Sequence, residues 1–427
     1  MKRAFLTIAT IFVCVCIAQG QKGAAEPDYY PMRFSGDART GEVRATNDAT
    51  TDVRWVVTWA AAPDSAGPPL KAQTVRQIIR TSIGGSSLRI RLSNLFGAAP
   101  VTIGPAHVAA HASGAAIKPG TDREVTFGGK TTVTIAKGAD ALSDPVTFPV
   151  APLEELTVSL YFPAGAESST IHSTAIQTAF ITSGDATAAT IFPQGETDTS
   201  RFFLTDVEVK AGADARAIAV VGDSITDGVG STEDHNARWP DALAARLQAD
   251  PALASIAVAN SGISGNRILN DGAEPYLGPS ILSRFDRDAL NKPGVRWILV
   301  LSGGNDISAA RALATPKDVV SAQQIIDGMK TLIARAHQKG VKIWGATLTP
   351  KAGSKFYYAE GETKRQAINA WIRTAGAFDA FVDFDQVTRD PDHPDRLLPA
   401  FDSGDHLHPN DAGYKAMAAA IDLRLFT

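Results

Sequence analysis

From residue 217 onward the chain repeats one unit, a short apolar run followed by a stretch with helical periodicity. The runs are Ala217 to Val221, Ile256 to Asn260, Trp297 to Ser302, Val341 to Leu348 and Ala380 to Asp383. Short, continuously apolar runs suit strands buried on both faces, and parallel neighbours need the crossover helices that the intervening stretches supply. The pattern therefore predicts a doubly wound parallel sheet. Its clearest helix is expected over Pro316 to Lys339, where Val319, Ala322, Ile325, Ile326, Met329, Leu332, Ile333 and Ala336 form one apolar stripe. Thr315 with Asp318 resembles a capping box, Pro316 suits a first turn and Gly340 suits the exit. Residues 410 to 425 are expected to form the last helix.

The half before residue 213 reads differently. Leu88-Arg89-Ile90-Arg91-Leu92 alternates strictly, as do Thr131 to Ile135 and Leu156 to Phe162, and Phe202 to Val209 reads as a closing strand. Period-two alternation means strands with one wet and one dry face. With no long helical pattern between about 51 and 210, an antiparallel β-sandwich of jelly-roll-like type is expected over 51–212, ahead of an α/β domain over 213–427. Trp55 and Trp59 are candidates for its core or for a binding platform.

Residues 21–50, rich in Gly, Ala, Asp and Thr, read as a linker. Before them, Lys2 and Arg3 precede an apolar stretch from Ala4 to Ala18, and Ala18-Gln19-Gly20 offers small residues for cleavage. Residues 1–20 thus read as a secretory signal peptide, too short an apolar run for a membrane span. Cys14 and Cys16, the only cysteines, lie within it, so the processed protein is expected to lack both disulfides and thiol chemistry. Its removal takes away two positive charges and no negative one, moving the formal charge from −4 to −6. Mixed signs with a mild acidic excess suit an exported protein, secreted or periplasmic, and argue against a nucleic-acid partner.

Chemistry collects at the expected ends of the strands. The first run leads directly into Gly222-Asp223-Ser224-Ile225-Thr226, which presents a hydroxyl at the carboxyl edge of the sheet. Serine attacks an acyl group only when a base takes its proton, an acid orients that base and donors receive the oxyanion. His408 is the candidate base and Asp405, three residues earlier, the orienting acid, with Asp402 as the alternative. The backbone N–H groups of Ser224 and Gly265 and the side-chain amide of Asn305 are candidate oxyanion donors, Gly265 having no side chain to obstruct the acyl group. Asp223, Asn266 and Asp306 read as turn-forming or supporting residues, and Trp239 before Pro240 as a packed helix entrance. His406 and His408 with Asp402 also suit a zinc pair, but no third ligand cluster stands at suitable spacing elsewhere. The Gly-x-Ser-x-Gly elbow of α/β-hydrolases is absent.

Gly222-Asp223-Ser224, Gly265, Gly303-Gly304-Asn305 and Asp405 to His408 occur in the order of the four blocks of the SGNH (GDSL) hydrolase family, which the chain resembles from about 215 to 427. The resemblance implies a three-layer flavodoxin-like fold with strand order 2-1-3-4-5. Thr226-Asp227-Gly228, Arg238-Trp239-Pro240-Asp241 and Arg284 to Asp288 are similar to a secreted bacterial branch that carries an N-terminal β-domain. Trp59-Ala60-Ala61-Ala62-Pro63 and Arg89 to Asn94 resemble that domain.

The resulting expectation is an exported serine esterase, with no cofactor and no metal, acting on short acyl esters, foremost acetyl groups on polysaccharide. Alternatives are a lipase, lysophospholipase or aryl esterase of the same fold, and a carbohydrate-binding protein acting through the β-domain.

Overall fold

The computed structural model describes residues 53–427 apart from Ala314. The expected signal peptide and linker lie outside the described residues. The five apolar runs become parallel strands: β1 (Arg216–Gly222), β2 (Ile256–Gly262), β3 (Val295–Leu301), β4 (Lys342–Ala346) and β5 (Ala380–Val382). They hydrogen-bond in the order β2-β1-β3-β4-β5. Val220, Val221, Ile298 and Leu299 are buried, as strands covered on both faces require. The helices fall into two packed groups, Trp239–Gln248 with Asp411–Ala420, and Ala322–Gln338 with Ile281–Phe285 and Ala359–Thr374. Trp239 is wholly buried at the first position of its helix and packs its ring against Phe384, 5.5 Å between centroids.

The amphipathic helix starts later than its sequence pattern predicts. Pro316–Asp318 forms a short 3-10 turn, Val319 leaves the helical region (ψ 86) and is 54% exposed, and the helix proper runs Ala322–Gln338. Its capping box is Ser321 with Gln324 instead of Thr315 with Asp318. The reason is a tertiary contact: the Thr315 hydroxyl and Arg267 both bond the Asp318 carboxylate, which anchors the 3-10 turn to the loop after β2. At the far end Gly340 takes a positive φ of 67° and ends the helix as expected. The last helix is Asp411–Ala420, followed by a separate 3-10 turn, Leu423–Phe426.

The first part is antiparallel throughout. One sheet places Val53–Ala60, Leu204–Gly212, Leu88–Ser93 and Asp140–Leu142 side by side, and a larger one is built around Gln73–Arg80, Glu155–Phe162 and Ala106–Ser113. Leu88, Ile90 and Leu92 are fully buried, and Arg89 and Arg91 on the other face are half-buried and pair with Glu208, which is itself buried. The alternation is as read, but the second face is a covered polar layer instead of the wet one expected. This sandwich covers the outer edge of the parallel sheet. The Val258 N–H donates to Ser82 Oγ, and Ala257 and Ala259 join the core of the sandwich. An edge that would otherwise present free backbone groups is thereby closed.

Candidate active site

Ser224 sits where β1 ends. It is the first residue of a single-turn helix, Ser224–Asp227, whose N-cap Asp223 accepts the Ile225 N–H at 3.2 Å and whose exit is Gly228 at φ 110°. A first helical residue has no intrahelical acceptor for its N–H, so that donor faces outward beside Oγ. Gly222 must be glycine, because a Cβ there would lie 2.5 Å from the Leu301 carbonyl oxygen of β3.

The loop before the last helix brings His408 to this serine. His408 Nε2 lies 2.8 Å from Ser224 Oγ and His408 Nδ1 lies 2.6 Å from Asp405 Oδ2. A carboxylate only accepts, so the ring carries its proton on Nδ1, and Nε2 is left to accept from the serine hydroxyl. The other carboxylate oxygen, Asp405 Oδ1, accepts the N–H groups of Leu407 at 2.9 Å and His408 at 2.8 Å. Burial works to raise the Asp405 carboxyl, but the bonds from the His408 ring and backbone outweigh it and hold it below the usual carboxylate range. Asp402, the alternative acid, is occupied elsewhere: its Oδ2 is 2.6 Å from His406 Nδ1 and its Oδ1 accepts the N–H groups of Gly404 and His406. The two histidines thus serve separate carboxylates.

Asn305 and Ser224 line one small pocket. The Asn305 amide donates one hydrogen to the Asn266 carbonyl at 3.1 Å, which fixes its orientation and leaves the second hydrogen free to donate. Gly265 precedes Asn266 and has φ 76°, and a side chain there would collide with Leu277. Glycine is therefore required by a left-handed backbone and by Leu277, a different reason from the open acyl approach read from sequence.

The supporting residues are tied together by buried polar groups. Asp306 accepts the N–H groups of Ile268 at 2.8 Å and Leu269 at 3.0 Å, holding the loop after Asn266. Asn266 donates to the carbonyls of Leu277 and Pro279 and accepts from Arg284 Nε. Arg284, fully buried, also reaches the carbonyls of Ser261 and Gly222, fastening the ends of β1 and β2. Lys351 was not singled out by sequence. It lies at the pocket wall, donating to Ser308 Oγ at 2.7 Å and to the Gly304 carbonyl at 3.1 Å. Burial pushes it down to about 8, and burial pushes nearby Asp223 up to about 6.

A second residue that sequence reading missed comes from the sandwich. His172 Nε2 lies 3.0 Å from Asp227 Oδ1, and Asp227 Oδ2 accepts both the N–H (2.9 Å) and hydroxyl (2.7 Å) of Ser264, next to Gly265. No local pattern marks His172, since its partner is supplied by the other half of the chain. Trp55 and Trp59 are half-buried, each stacked by an arginine, Arg89 at 4.4 Å and Arg201 at 5.5 Å from the ring centroid. No helix of the described residues is long and apolar enough to cross a membrane.

Residues 220–416 match the model of the GDSL-like Lipase/Acylhydrolase family. Among solved structures, a GDSL-like lipase from Bacteroides thetaiotaomicron is 19% identical over 48% of this chain and 85% of its own, with a TM-score of 0.34. A variant of an acetyl xylan esterase from Geobacillus stearothermophilus is 20% identical over 48% of this chain and 92% of its own, with a TM-score of 0.37. A search of curated proteins finds no match. The matched span runs from β1 to the last helix and contains the serine, the histidine and the loops between them, so residues 220–416 form a GDSL-like lipase/acylhydrolase domain and the protein is a carboxylic ester hydrolase.

Proposed function

We propose that the protein is an exported serine esterase that removes short acyl groups, acetyl foremost, from carbohydrate, with residues 213–427 catalytic and 51–212 an accessory β-sandwich. The observation that carries the reading is the continuous line from Asp405 through His408 to Ser224 Oγ, at 2.6 and 2.8 Å. His408 Nε2 takes the serine proton as Oγ attacks the ester carbonyl. The oxyanion is received by the N–H groups of Ser224 and Gly265 and by the Asn305 amide. His408 then protonates the departing alcohol. Water, deprotonated by the same nitrogen, hydrolyses the acyl-enzyme and restores Ser224.

The short-acyl preference is supported by the pocket beside Ser224. It holds about 30 Å³ between Ile225, Leu301, Ile307 and Leu348, room for about two or three water-sized groups at 10–15 Å³ each. Export rests on the N-terminal sequence, Lys2-Arg3 before an apolar stretch. The test is hydrolysis of aryl esters of increasing acyl length, beside acetate release from acetylated xylan and pectin. Ser224→Ala and His408→Ala are expected to abolish turnover in both assays. Near-normal turnover by Ser224→Ala refutes the mechanism, and a preference for long acyl chains refutes the substrate class.

A further inference from the structure

A second cavity, of about 60 Å³, lies where the sandwich meets the α/β part, away from Ser224. Trp59, Arg80, His172, Arg201, Asn236 and Arg238 stand in its wall together with Asp227 and Asp241. Both carboxylates are committed, Asp227 to His172 and Ser264 and Asp241 to Arg238. The wall therefore carries more positive charge than its acids balance.

Arg201 is the centre of that imbalance. It is 4% exposed, and its Nη1 is fully enclosed without a hydrogen-bond partner among the described residues. Other buried arginines behave differently. Arg76, Arg284 and Arg365 each engage Nε, Nη1 and Nη2 with carbonyls, hydroxyls, an amide oxygen or carboxylates. In the ladder Arg201 stands opposite His172, which places two cationic side chains on paired positions. Asp234, the carboxylate that attracts Arg201, is already bound by Gln177 and Thr178. Burial, then the charge of Arg238, pushes the guanidinium down to about 9, so it remains a cation at neutral pH. Arg201 is stacked on Trp59, but a buried guanidinium without acceptors for its N–H groups is costly, and a planar fork of donors is matched by a group with two or more anionic oxygens.

We propose that this cavity binds a small oxyanion, a carboxylate or a phosphate-type group, through the Arg201 guanidinium with Arg238, Arg80 and Asn236 beside it. Its size admits about four to six water-sized groups, which fits acetate, phosphate or sulfate.

The full-length processed protein, in chloride buffer at constant ionic strength, is titrated with acetate, phosphate and sulfate by calorimetry and by tryptophan fluorescence, which Trp59 reports. Saturable binding near one site per chain, at millimolar or lower concentration, is expected for at least one of the three. Acetate alone assigns a carboxylate site, and phosphate and sulfate alone assign a tetrahedral one. Arg201→Met is expected to lose the saturable response and, in chloride, to melt at or above the wild-type temperature, because it removes a buried charge with no bonded carboxylate while keeping an apolar contact to Trp59. Arg201→Lys, which keeps the charge without the fork, is expected to bind at least tenfold more weakly. No saturable response in the wild type with any of the three anions overturns the proposal, as does equal binding by folded Arg201→Met or Arg201→Lys.

Discussion

Replacing His172 by glutamine isolates a pH-dependent contact between the two halves of the protein. Nδ1 of the buried ring faces the Ala62 carbonyl at 2.9 Å and Nε2 faces Asp227 Oδ1 at 3.0 Å, with Asp64 Oδ2 3.9 Å from Nδ1. A carbonyl and a carboxylate only accept, so a ring that satisfies both must donate from both nitrogens, as an imidazolium does. Burial alone would lower its pKa, but Asp227 and Asp64 outweigh burial and raise it from 6.5 to about 9. At 1.36 kcal/mol per pH unit the rise is worth about 3 kcal/mol. Because the folded value lies above the unfolded one, this stability is fully present below about pH 6.5 and is lost as pH rises through about 9. Glutamine retains a donor for Asp227 but cannot acquire a charge. Urea unfolding of both proteins, followed by tryptophan fluorescence at pH 6, 7.5, 9 and 10, gives the difference in unfolding free energy. That difference should be largest at pH 6 and shrink by about 3 kcal/mol toward pH 10, with a slope no steeper than about 1.4 kcal/mol per pH unit. A difference that stays constant with pH would show that the ring is not an imidazolium in the folded protein and would refute the assignment.

Two further outcomes follow from the geometry of the serine loop. Asn305→Ala removes one of the proposed oxyanion donors and should lower kcat for an aryl acetate by about 10²- to 10³-fold with little change in KM; an unchanged kcat places the oxyanion elsewhere. Gly222→Ala puts a methyl group 2.5 Å from the Leu301 carbonyl oxygen, between two paired strands that cannot separate without losing their ladder. Soluble expression and the thermal midpoint should both fall sharply, and a variant as stable as the wild type would show that β1 and β3 can part at this point.

Much of the α/β half was legible because its signals are local. A buried strand, the glycine after it and the polar residues at its end are neighbours in sequence, so Ala217 to Ser224 displays its own geometry. The same holds for Asp405 and His408, whose three-residue spacing lets one loop carry both. The late start of Ala322–Gln338 was hidden, since Val319 keeps the helical period while Arg267, 51 residues away, draws Asp318 into a separate turn. Asp402 likewise looked available to His408 until His406, at φ 63°, turned its ring onto it.

By itself, then, the sequence determined the parallel sheet, its strand order through the family resemblance, the alternation of the sandwich strands and the pairing of Asp405 with His408 and of His408 with Ser224. Only the tertiary structure decided that the sandwich closes the edge at β2, that His172 holds Asp227 across 55 residues, and that Arg201 Nη1 is buried without a hydrogen-bond partner among the described residues. The physical reason is range. Periodicity and turn chemistry act over a few residues, whereas the partner of a buried charge is chosen by which surfaces pack together, and no stretch of this chain carries both surfaces.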